Sequence, residues 1–377
     1  MSASTLYEVA RHAGVSLATA SRVLNGSSRR PGDAISERVR ASAAELGYIA
    51  NAQAQGLAKK NSGMLGLILH DISDPYFSTI ARGVQDAVQD RGKVVLLAST
   101  GRGPANERQA IAIFAARRAD AIVISGSRTD SPAAAQDNEL LLAELRRYRA
   151  NGGKVAVLGR PVVGSVPDDG FRTVPVPNHA LSHRLAEALV GAGHRRFTVL
   201  AGPEGLVTSD ERLAGFQAGL AAAGLAPAEV RRTGFNRDGG YEAAVELAVA
   251  LNAGQDGSRD GTNRTDAGAA ACIFAVNDVM AIGAIAGLRE HGLRVPEDLA
   301  VAGFDDIETL RDFTPALTTA QLPLADLGRE AVAQVLADDA PPEPAAVTGG
   351  VVLRRSTELA HAAAGADGPA AGRLPQG

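Results

Sequence analysis

The sequence predicts a small all-α head followed by an α/β body of two doubly wound parallel-sheet lobes. Residues 5 to 47 hold three short helical segments separated by capping residues and glycines. From Met64 onward, short apolar runs alternate with helical segments, the pattern of parallel strands buried on both faces. The head is also set apart by charge: residues 1 to 60 carry eight Lys or Arg against four acids, a net of +4, whereas the whole chain stands at −4. With 377 residues and 45% hydrophobic content the chain can build more than one core.

Thr5 stands three residues before Glu8, a capping box that starts a helix at Leu6. Gly14 ends it, and Ser16 caps a second helix whose first turn is Leu17 to Thr19. Leu6, Val9, Ala10, Ala13 and Val15 supply one apolar surface, and Ala20, Val23 and Leu24 fall where they can meet it. Leu17, Ala18, Ser21 and Arg22 are left on the opposite face. In a helix-turn-helix that face lies in the DNA major groove, with the N-terminal residues at the base edges. An ordinary helical hairpin with a solvated face carries the same caps, so the neighbouring residues matter. Asp33 is expected to cap a third helix with Ile35, Val39, Ala43 and Leu46 at helical spacing, ending at Gly47. Three helices close a small core, and the basic excess points to a nucleic-acid partner.

Four segments, Leu6-Tyr-Glu-Val-Ala10, Ala13-Gly-Val-Ser16, Ser21-Arg-Val-Leu-Asn25 and Glu45-Leu-Gly-Tyr-Ile-Ala-Asn51, resemble the lactose-repressor (LacI/GalR) family of bacterial transcription regulators. The resemblance extends over nearly the whole chain. It implies a helix-turn-helix DNA-binding domain over 1–50, a hinge over 51–61, and a two-lobed effector-binding and dimerisation domain of periplasmic-binding-protein type over 62–360. To the outer-face residues it adds Thr5, Ser16, Thr19 and Asn25 in the head as DNA-contact positions. Tyr48, Asn51, Ala54 and Leu57 complete that set around the hinge. Leu57 matches the leucine that two hinges of a dimer wedge into a minor-groove step. Double-stranded operator DNA, a small-molecule effector and a second copy of the chain are the implied partners.

Along the body, apolar runs at Met64–His70, Val94–Ala98, Ala121–Ser125 and Val155–Leu158 alternate with helices near Tyr76–Asp90, Asn106–Arg118 and Asn138–Ala150. A second series has strands near Thr173–Val176, Phe197–Ala201, Val230–Gly234, Cys272–Val276 and Leu299–Gly303. Its helices fall near His179–Ala192, Ser209–Gly224, Gly239–Asn252 and Val279–His291. The resemblance implies three crossings between the lobes, near Pro161, Thr319 and Val347. Gly254–Gly268 reads as a surface loop. Residues 361–377 read as a disordered tail without the leucine heptads that would join dimers into tetramers.

Ligands of open parallel sheets bind beyond the carboxyl ends of the strands. That rule selects His70 to Phe77, Ser125 to Arg128, Gly159 and Arg160, Gly202 to Arg212, Phe235, Asn277 with Asp278, and Asp305. The resemblance sharpens the effector set to Asp74, Tyr76, Phe77 and Ser125 in the first lobe, where the strand-end rule keeps Arg160 beside them. In the second it selects Arg212, Phe235, Asn277 and Asp305, with Thr208 kept from the strand-end rule. Amide, carboxylate and guanidinium groups can grip hydroxyls while an aromatic face packs the C–H side of a ring, so a sugar or sugar derivative is expected. Gly159 departs from the many sugar-responsive members that carry Asp there. With Arg160 beside it, this points either to an anionic ligand or to a structural strand-end arginine.

Other classes find little support. His179 and His183 have metal-ligand spacing but lack a following Glu and a third ligand, and no cofactor is expected. Neither a phosphate-binding glycine loop nor a nucleophile context is visible, so the chain is not expected to be an enzyme. A solute-binding protein of a transport system shares the lobes, but it should carry a signal peptide and no basic head. The single cysteine, Cys272, excludes an internal disulfide, and no run reaches membrane-span length. The expectation is a cytoplasmic, homodimeric, ligand-responsive repressor with no membrane partner.

Overall fold

The computed structural model describes residues 4–25, 31–49, 62–255, 271–337 and 347–359. The hinge, with Asn51, Ala54 and Leu57, lies outside the described residues, as do most of the expected surface loop and the tail.

The head contains α1 (Leu6–His12), α2 (Leu17–Asn25) and α3 (Asp33–Glu45). Its capping box is present: the Glu8 amide donates to Thr5 Oγ1 at 3.3 Å and the Thr5 amide to the Glu8 carboxylate at 2.8 Å. The Thr5 amide and hydroxyl, both donating to that carboxylate, hold it below its ordinary range. Gly14, at φ +64°, takes the left-handed turn after α1. Ser16 Oγ then accepts from the Thr19 amide at 3.1 Å. Asp33, however, is not the cap of α3. Gly32 occupies that position with no side-chain bond, and Asp33 is the first helical residue, where its charge still complements the helix dipole. Val9, Ala10, Ala13, Ala20, Val39 and Ala43 form the buried core, with Leu6, Val15, Val23, Leu24, Ile35, Leu46 and Tyr48 packed around it.

The body opens with β1 (Met64–Leu69), α4 (Pro75–Gln89), β2 (Val94–Ser99), α5 (Pro104–Ala116), β3 (Ala121–Ser125), α6 (Ala135–Ala150), β4 (Lys154–Leu158) and β5 (Arg172–Val174). These strands form one sheet in the order β2-β1-β3-β4-β5. The pairs β1–β3, β3–β4 and β4–β5 are parallel, with Leu67 opposite Val123 and Val123 opposite Ala156.

The second lobe is built from α7 (Asn178–Gly191), β6 (Arg196–Ala201), α8 (Val207–Ala222), β7 (Glu229–Arg232), α9 (Arg237–Gln255), β8 (Ala271–Ala275), α10 (Asp278–Glu290), β9 (Ala300–Asp305) and β10 (Thr318–Gln321). After α11 (Leu324–Leu336), β11 (Gly350–Val352) completes a sheet ordered β11-β10-β9-β8-β6-β7. Only β10–β11 is antiparallel among its recorded pairs. Phe216 of α8 stacks on Phe274 of β8 at 4.5 Å in its core.

Three sequence expectations need correction. The strand near Thr173 belongs to the first sheet, because Thr173 pairs with Val157 of β4. The first crossing therefore follows β5, between Val174 and Asn178, and not Pro161. The second follows Gln321, since Thr319 is still within β10. Beyond it α11 packs back on α4 of the first lobe, so close that a Cβ on Gly83 would stand 1.9 Å from the Ala325 carbonyl oxygen. The third crossing lies between Ala337 and Gly350, a span that includes Val347. Finally, burial on both faces fails at the edge strand β2, where Val94 is 62% and Leu97 45% exposed.

Candidate functional site

On the head, core packing of Ala20, Val23 and Leu24 turns the opposite face of α2 outward. Leu17 is half-exposed, Ala18 and Arg22 are exposed, and Ser21 and Thr19 are half-buried. Thr5 and Ser16 are exposed and also serve as caps, while Tyr48 packs against the head core. Asn25 is the last residue of α2. Tyr7 of α1, absent from the sequence-derived set, is 66% exposed. Its one sequence signal is an aromatic out of phase with the apolar stripe of α1.

In the body the strand ends converge on a cleft lined from both lobes. Asp74 caps α4 by accepting from the Tyr76 amide at 2.9 Å, which brings Tyr76 and Phe77 to the first-lobe wall. Asn277 caps α10 likewise, accepting from the Met280 amide at 2.8 Å. Arg212 lies on the inner face of α8 and is almost fully buried. Its Nε donates to Asn178 at 3.0 Å, Nη1 to the Val276 carbonyl at 2.8 Å and Nη2 to Asp305 at 2.8 Å. The guanidinium carbon also sits 3.9 Å from the centre of the Phe304 ring.

Burial governs the charges here. It pushes the Asp305 carboxyl well above the ordinary range while Arg212 pulls it back, and it raises Asp74 as well. Asp278 beside them, pushed up by burial to about 6, accepts from Thr319 Oγ1 at 2.7 Å and the Ile307 amide at 3.0 Å, so it braces the second sheet. Behind the first-lobe wall lies another buried cluster. Arg128 Nη1 forks onto Glu107 at 2.6 and 2.8 Å, and His70 Nε2 lies 3.3 Å from the same carboxylate. A Cβ on the cleft-lining Gly126 would stand 2.2 Å from that His70 nitrogen.

Against this geometry, Asp74, Tyr76, Phe77, Thr208, Arg212, Phe235, Asn277 and Asp305 all line the cleft. Ser125 and Arg160 do not. Ser125 ends β3 fully buried, and the next residues, Gly126 and Ser127, reach the cleft instead. Arg160 instead lies against Glu211 of the other lobe at 3.1 Å with 65% of its side chain exposed. Val176 and Asn178 were missed because β5 was read into the wrong sheet; the strand-end rule applied to β5 selects both. Leu158 is the last strand residue and not the one after it.

Comparisons with known proteins match this arrangement. Residues 5–51 fit the model for bacterial regulatory proteins of the lacI family, and residues 186–357 that for the periplasmic binding protein-like domain. The transcriptional regulator CelR of Thermobifida fusca is 31% identical over 341 residues, covering 89% of this chain and 91% of CelR. The chain belongs to the LacI family. The repressor CytR of Escherichia coli strain K12 is 28% identical over 89% of each chain. A crystal structure of the lac repressor dimer bound to operator and an anti-inducer superposes with a TM-score of 0.75 at 27% identity, covering 94% of this chain and 99% of that one. A CelR–cellobiose complex gives 0.62 at 27% identity over 94% and 99%. As a LacI-family member the chain is a DNA-binding transcriptional regulator, and the transport reading falls away. Gly159 lines the cleft at φ +95°, with open space where a Cβ would stand.

The exposed face of α2 yields a direct expectation for this LacI-family head. A bidentate arginine–guanine contact is worth about 1 to 3 kcal/mol of discrimination. Arg22→Ala is therefore expected to flatten base preference at one operator position across a panel of substituted duplexes, and an unchanged preference would refute the assigned face.

Proposed function

We propose that the protein is a homodimeric repressor that grips a palindromic operator through α2 and the hinge, and that a neutral polyhydroxylated molecule, a sugar or close derivative, sets its DNA affinity from the interlobe cleft. The observation that carries this reading is the cleft lining. Two carboxyls, Asp74 and Asp305, face one guanidinium that is already committed to three protein acceptors, so hydroxyls find partners in the lining while no uncommitted cation among the lining residues is left to hold an anion. Tyr76, Phe77 and Phe235 supply the apolar faces a sugar ring packs on. The removal of Arg160 from the lining takes away the argument for an anionic effector. The solved relatives, one a dimer on operator with an anti-inducer and one a complex with cellobiose, support the same division of labour. Val94 and Leu97 on β2 offer an apolar edge to a second copy. In this reading the protein has no catalytic task and works in the cytoplasm, where its operator lies.

The test selects a duplex from a random palindromic library and titrates it at several salt concentrations with and without neutral sugars. A steep negative salt slope, and a shift in affinity with at least one sugar but none with sugar phosphates, is expected. Binding without salt dependence, or a response confined to anions, would overturn the proposal.

A further inference from the structure

The topology fixes where the cleft opens. Chain crossings leave from β5 at one edge of the first sheet and from β10 and β11 at one edge of the second, so the lobes are hinged along those edges. The opposite edges are β2 and β7, and the side of the cleft between them is the one that no chain crossing closes. At that mouth the turn after β2 carries Arg102 and the loop after β7 carries Phe235. The Arg102 Nη2 donates to the Phe235 carbonyl, and its guanidinium carbon lies 4.9 Å from the centre of the Phe235 ring. Burial lowers Arg102, while the charges of Asp74 and Asp71 on the first-lobe side favour its cation. Phe235 itself lines the cleft. One side chain of the first lobe thus closes on the aromatic wall of the second, at the edge where no covalent connection holds the lobes.

We infer that Arg102 is a gating and specificity-determining residue: its guanidinium latches the mouth of the cleft onto Phe235, so that an effector enters only when the latch releases and must fit behind it as a single ring. The size limit rests on the sugar reading above; the latch does not. A charge-assisted hydrogen bond combined with cation–π contact at a partly solvated site is sufficient to shift an opening equilibrium roughly tenfold. Other links between the lobes report on that opening. The Val207 amide donates to the Arg128 carbonyl at 2.9 Å and the Asp130 amide to the Gly205 carbonyl at 2.8 Å. Both bonds break when the lobes part.

The experiment is hydrogen exchange on the full-length, ligand-free protein, wild type against Arg102→Ala. The amides of Asp130 and Val207 are expected to exchange roughly tenfold faster in the variant, with those of β1 and β6 unchanged as evidence of an intact fold. Equal exchange at Asp130 and Val207 would overturn the latch. In a second arm, glucose and cellobiose are titrated into both proteins, and Arg102→Ala is expected to gain about tenfold in cellobiose affinity relative to glucose. Cellobiose binding to wild type as tightly as glucose would overturn the single-ring limit. Failure of both sugars with both proteins would count against the sugar reading, while the exchange data decide the latch.

Discussion

Arg212→Ala is expected to destabilise the ligand-binding body by about 3 to 5 kcal/mol, the usual cost of leaving one partner of a buried ion pair behind. The loss goes beyond the 2.8 Å bond to Asp305, because the same guanidinium also satisfies Asn178 and the Val276 carbonyl and lies over Phe304. A lysine cannot replace it, since one ammonium cannot reach three acceptors in a planar fork. The variant is therefore not a clean effector-blind mutant. Its penalty should depend on pH. Burial already raises the Asp305 carboxyl, and without Arg212 it rises further. A carboxyl whose folded pKa exceeds its unfolded value favours folding below the unfolded pKa and loses that contribution as pH rises through the folded pKa. The gap between wild type and Arg212→Ala should accordingly narrow as pH falls toward 5. Adding Asp305→Ala should recover part of the loss at neutral pH, a coupling that double-mutant thermal denaturation measures directly. Strictly additive penalties would mean that the pair does not act as a unit.

Legibility in the sequence followed the strength of local signals. Capping at Thr5 and Ser16 fixed the starts of α1 and α2 because side chain and backbone there satisfy each other locally. Continuous apolar runs located β1, β3, β4, β6, β8 and β9 for the same kind of reason: strands buried on both faces leave no polar alternation. Three-residue β5, with Arg172 and Thr173 in it, has no such run, and its sheet is decided by a long-range pairing with β4. That one error moved a crossing and hid Asn178, whose amide bridges Glu211 and Arg212. The short strands β10 and β11 and the helix α11 were likewise invisible, because β10 and β11 are only four and three residues long and are fixed by pairing with β9 and with each other, while α11 packs on the other lobe. Asp33 failed as a cap through the tolerance of the N-cap position for glycine, which costs only a few tenths of a kcal/mol against a good cap. Arg102 carried no sequence signal at all; its role exists only once two sheet edges face each other.

The first-lobe cluster of His70, Glu107 and Arg128 sets the other large expectation. Glu107 sits on α5 and is 2% exposed, and it binds the guanidinium that anchors the loop after β3. Arg128 Nε and Nη2 find no other acceptor in the structure, so Glu107 is its main source of compensation. Glu107→Ala would strand a buried cation and should cost about 3 to 5 kcal/mol, with Glu107→Gln intermediate because an acceptor survives while the charge does not. Two linked titrations give the wild type its acid sensitivity. Arg128, with His70, holds the Glu107 carboxyl below its ordinary range in spite of burial, so its stabilisation is present above the unfolded pKa and is lost as pH falls through the folded one. Burial lowers His70, which folds neutral and must shed a proton once the unfolded histidine is charged, so its contribution also declines as pH falls through the ordinary histidine range. Both act in the same direction. The contribution of this cluster to the melting temperature of the body should fall from pH 7.5 to pH 5 through His70, then further below pH 5 through Glu107, against the opposite drift set by the raised carboxyls of Asp278 and Asp305. In Glu107→Gln the first step should remain and the second shrink. A melting temperature for Glu107→Ala equal to that of wild type would show that Arg128 is solvated and that the cluster does not hold the cleft loop in place.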